Sequence, residues 1–204
     1  PTLKDGETFF GSEIINDIFF FEFDKNGEMW LGTDRGIFVL REPEKFLSND
    51  NVIFERVKIP RNDGTNLADY LLSGIYTTAI CIDDANRKWI GTQNNGVFLL
   101  SEDGKETIYH FTEENSPLLS NYIQTIAINS STGSVFFGTS LGLIEYGGDA
   151  TEPENSLSES NIEVYPNPVN PDFDGPVTIK GMSDKCTVRI VSASGSLVYQ
   201  GYSN

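Results

Sequence analysis

The residue types that do chemistry are sparse in this 204-residue sequence, and few stand at a spacing that chemistry requires. His110 is the one histidine, set between Tyr109 and Phe111 in the run Thr107-Ile-Tyr-His-Phe111. A Ser-His-Asp centre would need it beside a nucleophile and an orienting acid, and the run reads as a strand, so His110 reads as a strand histidine. One histidine and two separated cysteines, Cys81 and Cys186, do not make a zinc set. Both cysteines lie in apolar strand-like runs and read as small buried hydrophobes. A disulfide between them would need Cα atoms within about 7 Å. The stretches Asp24-Lys-Asn-Gly-Glu28 and Asp83-Asp-Ala-Asn86 offer oxygen ligands, but a calcium loop of the EF-hand type needs more acids and a distal bidentate Glu. They read as turns. Gly32-Thr-Asp-Arg-Gly36 is no phosphate loop, because it lacks the Gly-Lys-Ser/Thr that leads into a helix. Glycoside chemistry would need two carboxylates about 5–10 Å apart. Acids are plentiful, but no motif nominates a pair. The sequence therefore predicts a binding or scaffolding protein: no enzyme, no cofactor, no metal.

Charge narrows the partners. A net charge of −16 disfavours nucleic acid, whose binding face needs clustered Lys and Arg. It equally disfavours adsorption to anionic lipid. No run of about 18 apolar residues is present, so no membrane-spanning helix is predicted.

The elements come from a repeat. One pattern occurs three times. An apolar run ends in a turn-former at Asp24, Asp83 or Asn129, and a polar turn follows. A second run carries an aromatic residue with Gly-Thr close behind: Trp30, Gly32, Thr33; Trp89, Gly91, Thr92; Phe136, Gly138, Thr139. A further glycine, Gly36, Gly96 or Gly142, opens a third apolar run. This is a β-meander with glycine at its tight connections. The rings of Trp30, Trp89 and Phe136 are expected to fill gaps between adjacent sheets. Fourth strands are expected at Val52–Val57 and Thr107–Phe111. The intervals Gly32–Gly91 and Gly91–Gly138, 59 and 47 residues, suit four-stranded propeller blades of about 40–50 residues. Polar residues 60–70 account for the longer interval as an expected loop.

The pattern resembles the two-component-regulator propeller repeat: strand, Asp, turn, W-x-G-T, then G-[LIV]. The link Tyr109 to Ile123 resembles that family's connection between blades. In the family, large propellers serve as periplasmic sensors of hybrid histidine kinases. The fold expectation is all-β: about three blades of a propeller over residues 1–147, an acidic linker over 148–161, and the N-terminal part of an Ig-like β-sandwich over 162–204. Three blades should not close a ring, and the start at Pro1 is no natural initiator, so a longer protein is expected at both ends.

Residues 162–204 carry the functional weight. Tyr165-Pro166-Asn167-Pro168 opens them, and the prolines read as a rigid lead-in to an edge strand. Strands are expected at Val177–Ile179, Cys186–Val191 and Ser196–Tyr199, with Cys186, Val188 and Ile190 on a half-buried face and a hairpin turn at Ala193–Ser196. The segment resembles the start of the C-terminal sorting domain of the Bacteroidetes type IX secretion system. Propeller repeats joined to this motif resemble the PorZ-like surface components of that system. The resemblance implies a secreted protein of the periplasm or outer-membrane surface of a Gram-negative bacterium. It implies docking to other secretion-system proteins, with lipopolysaccharide or an oligosaccharide as a further contact. The alternative is an oligosaccharide-sensing propeller of a hybrid two-component system.

Overall fold

The structure, a computed structural model, describes residues 15–45, 53–61, 65, 67–152, 162–173, 175–183 and 185–203. It is all-β apart from a 3-10 turn at Pro43–Lys45. Strands β1 (Ile18–Phe23), β2 (Met29–Thr33), β3 (Gly36–Leu40) and β4 (Glu55–Arg56) form the first sheet. A small hairpin follows, β5 (Lys58–Pro60) with β6 (Ala68–Tyr70). The second sheet is β7 (Thr77–Ile82), β8 (Lys88–Thr92), β9 (Val97–Leu100) and β10 (Thr107–Phe111). The third is β11 (Ile123–Asn129), β12 (Ser134–Thr139) and β13 (Gly142–Gly147). Each is an antiparallel meander in sequence order. The first strands of successive sheets lie side by side, β1 by β7 and β7 by β11. This is the blade arrangement of a β-propeller. Two two-stranded sheets follow: β14 (Glu163–Tyr165) with β15 (Thr178–Lys180), and β16 (Thr187–Val191) with β17 (Leu197–Tyr202).

The core lies in the two seams between blades and in a third cluster, Leu31, Phe38, Leu40 and Phe54, on the other face of the first sheet. Trp30, Ile37, Val39, Leu71, Ile90, Phe98 and Leu100 fill the first. Trp89, Leu99, Ile123, Ile126, Val135 and Phe137 fill the second. Alternation along each strand explains the division. Trp89 faces forward onto the third sheet, while its neighbour Ile90 faces back onto the first.

The turn residues act through side-chain hydrogen bonds. Asp24 Oδ1 accepts from the amides of Asn26 and Glu28, each at 2.9 Å. Asp83 Oδ1 does the same for Ala85 and Arg87, at 3.0 and 2.9 Å. Asn129 Oδ1 accepts from Ser131. These are Asx turns, so the acids the sequence reads as turn-formers are turn-formers. The next turn of each blade is closed by its threonine. Thr33, Thr92 and Thr139 each donate Oγ1 to the carbonyl of the following glycine, Gly36, Gly96 or Gly142, at 2.9, 2.8 and 2.8 Å. Gly96 must be glycine: its φ is +69° and a Cβ there would lie 2.0 Å from Phe111 O. Gly91 is required for space, since a Cβ would lie 2.7 Å from Ile123 Cγ2 of the next blade. The two glycines of a repeat thus have different causes, and only the second is a matter of φ.

Several expectations are corrected. Residues 60–70 are not simply a loop. Lys58–Pro60 pairs with Ala68–Tyr70, and Arg61 clamps Asp69 with two hydrogen bonds, so polar composition concealed a hairpin. The fourth strand expected at Val52–Val57 is only Glu55–Arg56, and Val52 lies outside the described residues. Phe136 does not fill a gap between described sheets. It is half-buried on the face of β12 turned away from the second sheet, and Phe137 enters the seam instead, 5.5 Å from the ring of Trp89. Tyr165-Pro166-Asn167-Pro168 does not lead into an edge strand. Tyr165 ends β14, and both X-Pro bonds, which are cis, lie in the bend that follows. The strand Thr187–Val191 is mostly exposed rather than half-buried: only Val188 is partly covered.

Candidate functional site

The first seam holds a buried ion pair. Lys88 and Asp24 are wholly buried, with Nζ 3.0 Å from Asp24 Oδ2. Nζ also donates to the carbonyls of Asn86 and Glu102 and lies 4.8 Å above the Trp30 ring. The same Asp24 oxygen accepts from Trp30 Nε1 at 3.1 Å. Burial pulls the Lys88 ammonium below its ordinary pKa, while the hydrogen bond and charge of Asp24 oppose that pull. Above it, Lys25 pairs with Asp84 at 2.8 Å, and the Lys25 amide donates to Asn86 Oδ1. This polar column joins blade one to blade two.

The second blade turns the same chemistry toward the C-terminal sheets. Arg87 Nε donates to Asp83 Oδ2 at 2.7 Å, and Nη2 to Asp149 Oδ1 at 2.5 Å. Asp149 Oδ2 accepts from Thr178 Oγ1 of β15 at 2.8 Å. Burial resists ionisation of Asp149, but the hydrogen bonds of Arg87 and Thr178 and the guanidinium charge outweigh it and hold the carboxyl below its ordinary value. Asp149 belongs to the acidic segment expected as a linker. Its first residues are instead packed on the blades: Ala150 is buried and the Glu152 amide donates to Ser130 O. Residues 153–161 of that segment lie outside the described residues. Between this strap, the Asp83–Arg87 turn and β15 lies a cavity of about 250 Å³.

The two catalytic motifs the sequence could offer, His110 and a serine elbow, take structural places. His110 sits on β10 with Nε2 2.8 Å from Asn95 O and its ring stacked on Phe98 at 3.9 Å. Gly138-Thr-Ser-Leu-Gly142 has the Gly-x-Ser-x-Gly spacing of a nucleophile elbow. It forms the turn between two strands rather than a strand-to-helix turn, and Ser140 Oγ donates to Ser120 Oγ at 2.9 Å. Among the described residues no group of three His, Cys, Asp or Glu is placed to hold a metal ion. No described helix is long and apolar enough to cross a membrane. The site residues nominated from sequence remain where the repeats put them. Trp30, Gly32, Thr33 and Gly36 lie in blade one, Trp89, Gly91, Thr92 and Gly96 in blade two, and Phe136, Gly138, Thr139 and Gly142 in blade three. Tyr165 to Pro168 stand apart from them, the Tyr165 ring lying 5.4 Å from Lys180 Nζ. Lys88, Arg87 and Asp149, which join the parts, carry no sequence signal beyond their charge.

Cys81 and Cys186 are both free and half-buried rather than fully buried, Cys81 packing against the second seam. Burial pushes the Cys81 thiol up to about 11 from 9.0, and the charges of Glu22 and Asp83 add to this. At pH 8 its thiolate fraction is then about 0.1%, roughly a hundredfold below an unshifted thiol. Alkylation by iodoacetamide at pH 8, located by peptide mass spectrometry, should therefore leave Cys81 unmodified long after a model thiol has reacted. Reaction at the model rate would contradict the burial.

No protein-family profile and no curated protein sequence matches the chain. Solved structures do. PorZ, described as an essential bacterial surface component of the type IX secretion system of Porphyromonas gingivalis, is 37% identical over 91% of this chain, with a TM-score of 0.67; the match covers 24% of PorZ. Two extracellular domains described with hybrid two-component systems of B. thetaiotaomicron align over 93% and 92% of the chain. Their identities are 22% and 17%, their TM-scores 0.47 and 0.45, and 24% of each is covered. The chain is therefore PorZ-like, as its repeats joined to the Tyr165–Pro168 motif implied: it is similar in sequence and fold to a stretch that makes up about a quarter of PorZ.

Proposed function

We propose that this chain is part of a non-enzymatic component of type IX secretion, at the periplasmic or outer-membrane surface of a Gram-negative bacterium. It works by docking other secretion-system proteins, with lipopolysaccharide or an oligosaccharide as a further contact. We place the propeller blades in 1–147 and a sorting-type sandwich in 162–204, with Tyr165, Pro166, Asn167 and Pro168 as its opening motif. The observation that carries the reading is the similarity to PorZ along most of the chain.

The test is deletion of the gene in its own bacterium, followed by fractionation of secreted cargo. The expected result is cargo retained in the periplasm and restored by the intact gene. Undiminished secretion would overturn the proposal. Turnover of a glycan panel by the full-length protein would overturn its non-enzymatic part.

A further inference from the structure

The C-terminal sheets have little to hold them on the blades. No described residue from 162 to 203 is buried, and Leu197, Val198 and Tyr202 are each more than half exposed. Where β15 meets the second blade there is a cavity of about 250 Å³ rather than a packed wall, so dispersion and apolar burial contribute little there. Among the described residues one hydrogen bond crosses this boundary, from Thr178 Oγ1 to Asp149 Oδ2 at 2.8 Å. Its acceptor is fixed. Asp149 Oδ1 accepts from Arg87, and Arg87 is itself held by Asp83. Beyond Asp149 the strap stays on the third blade: Ala150 is buried, the Glu152 amide donates to Ser130 O, and Ser131 Oγ donates to Glu152 Oε1 at 2.9 Å. On the far side, Ser203 Oγ donates to Ser183 O and ties the second hairpin to the end of the first. A stationary carboxylate thus holds two linked hairpins that bury no residue of their own. A hydroxyl donating to a carboxylate biases such an equilibrium by roughly ten- to hundredfold.

We infer that the C-terminal sheets are a detachable unit, clasped to the second blade by the Asp149 carboxylate through Thr178, and that opening this clasp frees them to reorient while the blades stay folded. Asp149 is a positioning residue in this device. Its two oxygens face opposite ways, one to the blade and one to β15, so it sets the orientation of the sheets without belonging to either core. The inference does not depend on the secretion reading. Deletion of the gene tests that reading, and the motion of β15 tests this one.

The experiment compares the intact 204-residue protein with Thr178→Val and Thr178→Ser by amide nitrogen-15 relaxation and by urea unfolding followed through tryptophan fluorescence. Valine keeps the shape of threonine and loses the donor; serine keeps the donor. Both tryptophans lie in the seams, so fluorescence follows the blades alone. In the unaltered protein the amides of Thr178 to Lys180 should share the rotational correlation time of the blades. In Thr178→Val the undocked population should rise about tenfold or more and become the larger one, so those amides acquire a shorter correlation time. The urea midpoint should stay within error, and Thr178→Ser should behave as the unaltered protein does. Asp149→Ala, which opens the clasp from the other side, should free β15 in the same way. Retention of the blades' correlation time in Thr178→Val overturns the inference, as does independent tumbling of β15 in the unaltered protein. Thr178→Ser behaving like Thr178→Val would assign the hold to the methyl group and overturn it too. A Thr178→Val chain that does not fold, or whose blade midpoint falls, would mean that blades and sheets are one cooperative unit, which also overturns it.

Discussion

Lys88→Met should destabilise the protein by about 3–5 kcal/mol, the cost of removing one partner of a buried ion pair. The reason is what remains. Asp24 is wholly buried and keeps only N–H donors, from Asn26, Glu28 and Trp30. Its charge is left without a counter-charge in the seam. The carbonyls of Asn86 and Glu102 lose a donor as well. Methionine replaces the stem but not the ammonium. With about 2 kcal/mol per molar for urea, the unfolding midpoint should fall by roughly 1.5–2.5 M. Adding Asp24→Asn, which removes the stranded charge and keeps an acceptor for the turn amides, should return part of the loss. A single-variant cost below about 1 kcal/mol would mean that the pair is solvated in solution and the seam is looser than described.

Trp89→Ala should cost a similar amount, about 3–5 kcal/mol, as the loss of a large core ring and the cavity it leaves. Trp89 is wholly buried, with Phe137 at 5.5 Å and Tyr146 at 5.4 Å between ring centroids. It is the centre of the seam between blades two and three. The two tryptophans differ in one respect that a milder substitution exposes. Trp30 Nε1 donates to Asp24, whereas Trp89 Nε1 has no partner among the described residues. In the second blade Arg87 Nε occupies Asp83 Oδ2, the oxygen equivalent to the one Trp30 uses on Asp24. Trp89→Phe should therefore lose only packing, while Trp30→Phe loses packing and a buried hydrogen bond worth about 1 kcal/mol more. Urea unfolding of the two variants side by side measures the difference. Equal costs would mean that Trp89 Nε1 is satisfied after all.

These residues show which interactions a sequence displays. The Asx turns at Asp24 and Asp83 were legible because donor and acceptor lie two to four residues apart. The Thr-to-Gly staples were legible as a spacing for the same reason. Lys88 was not, because Asp24 is 64 positions away, and a lysine in a strand ordinarily faces water. The hairpin around residues 60–70 was hidden by its polarity, since its strands are short and exposed. Asp149 read as one more acid in a solvated segment. Only the nearness of Arg87 and Thr178 gives it a role.

The sequence alone determined the three repeated meanders and which glycines and threonines close their turns. Those properties rest on local alternation and short-range hydrogen bonds, which a linear pattern records. The tertiary structure decided the seams and the cavity. Which of two adjacent phenylalanines enters a seam, which lysine is buried, and which acid meets β15 all depend on the neighbouring sheet. Burial and charge pairing across a seam are properties of two surfaces in contact, and the residues of the second surface lie far along the chain.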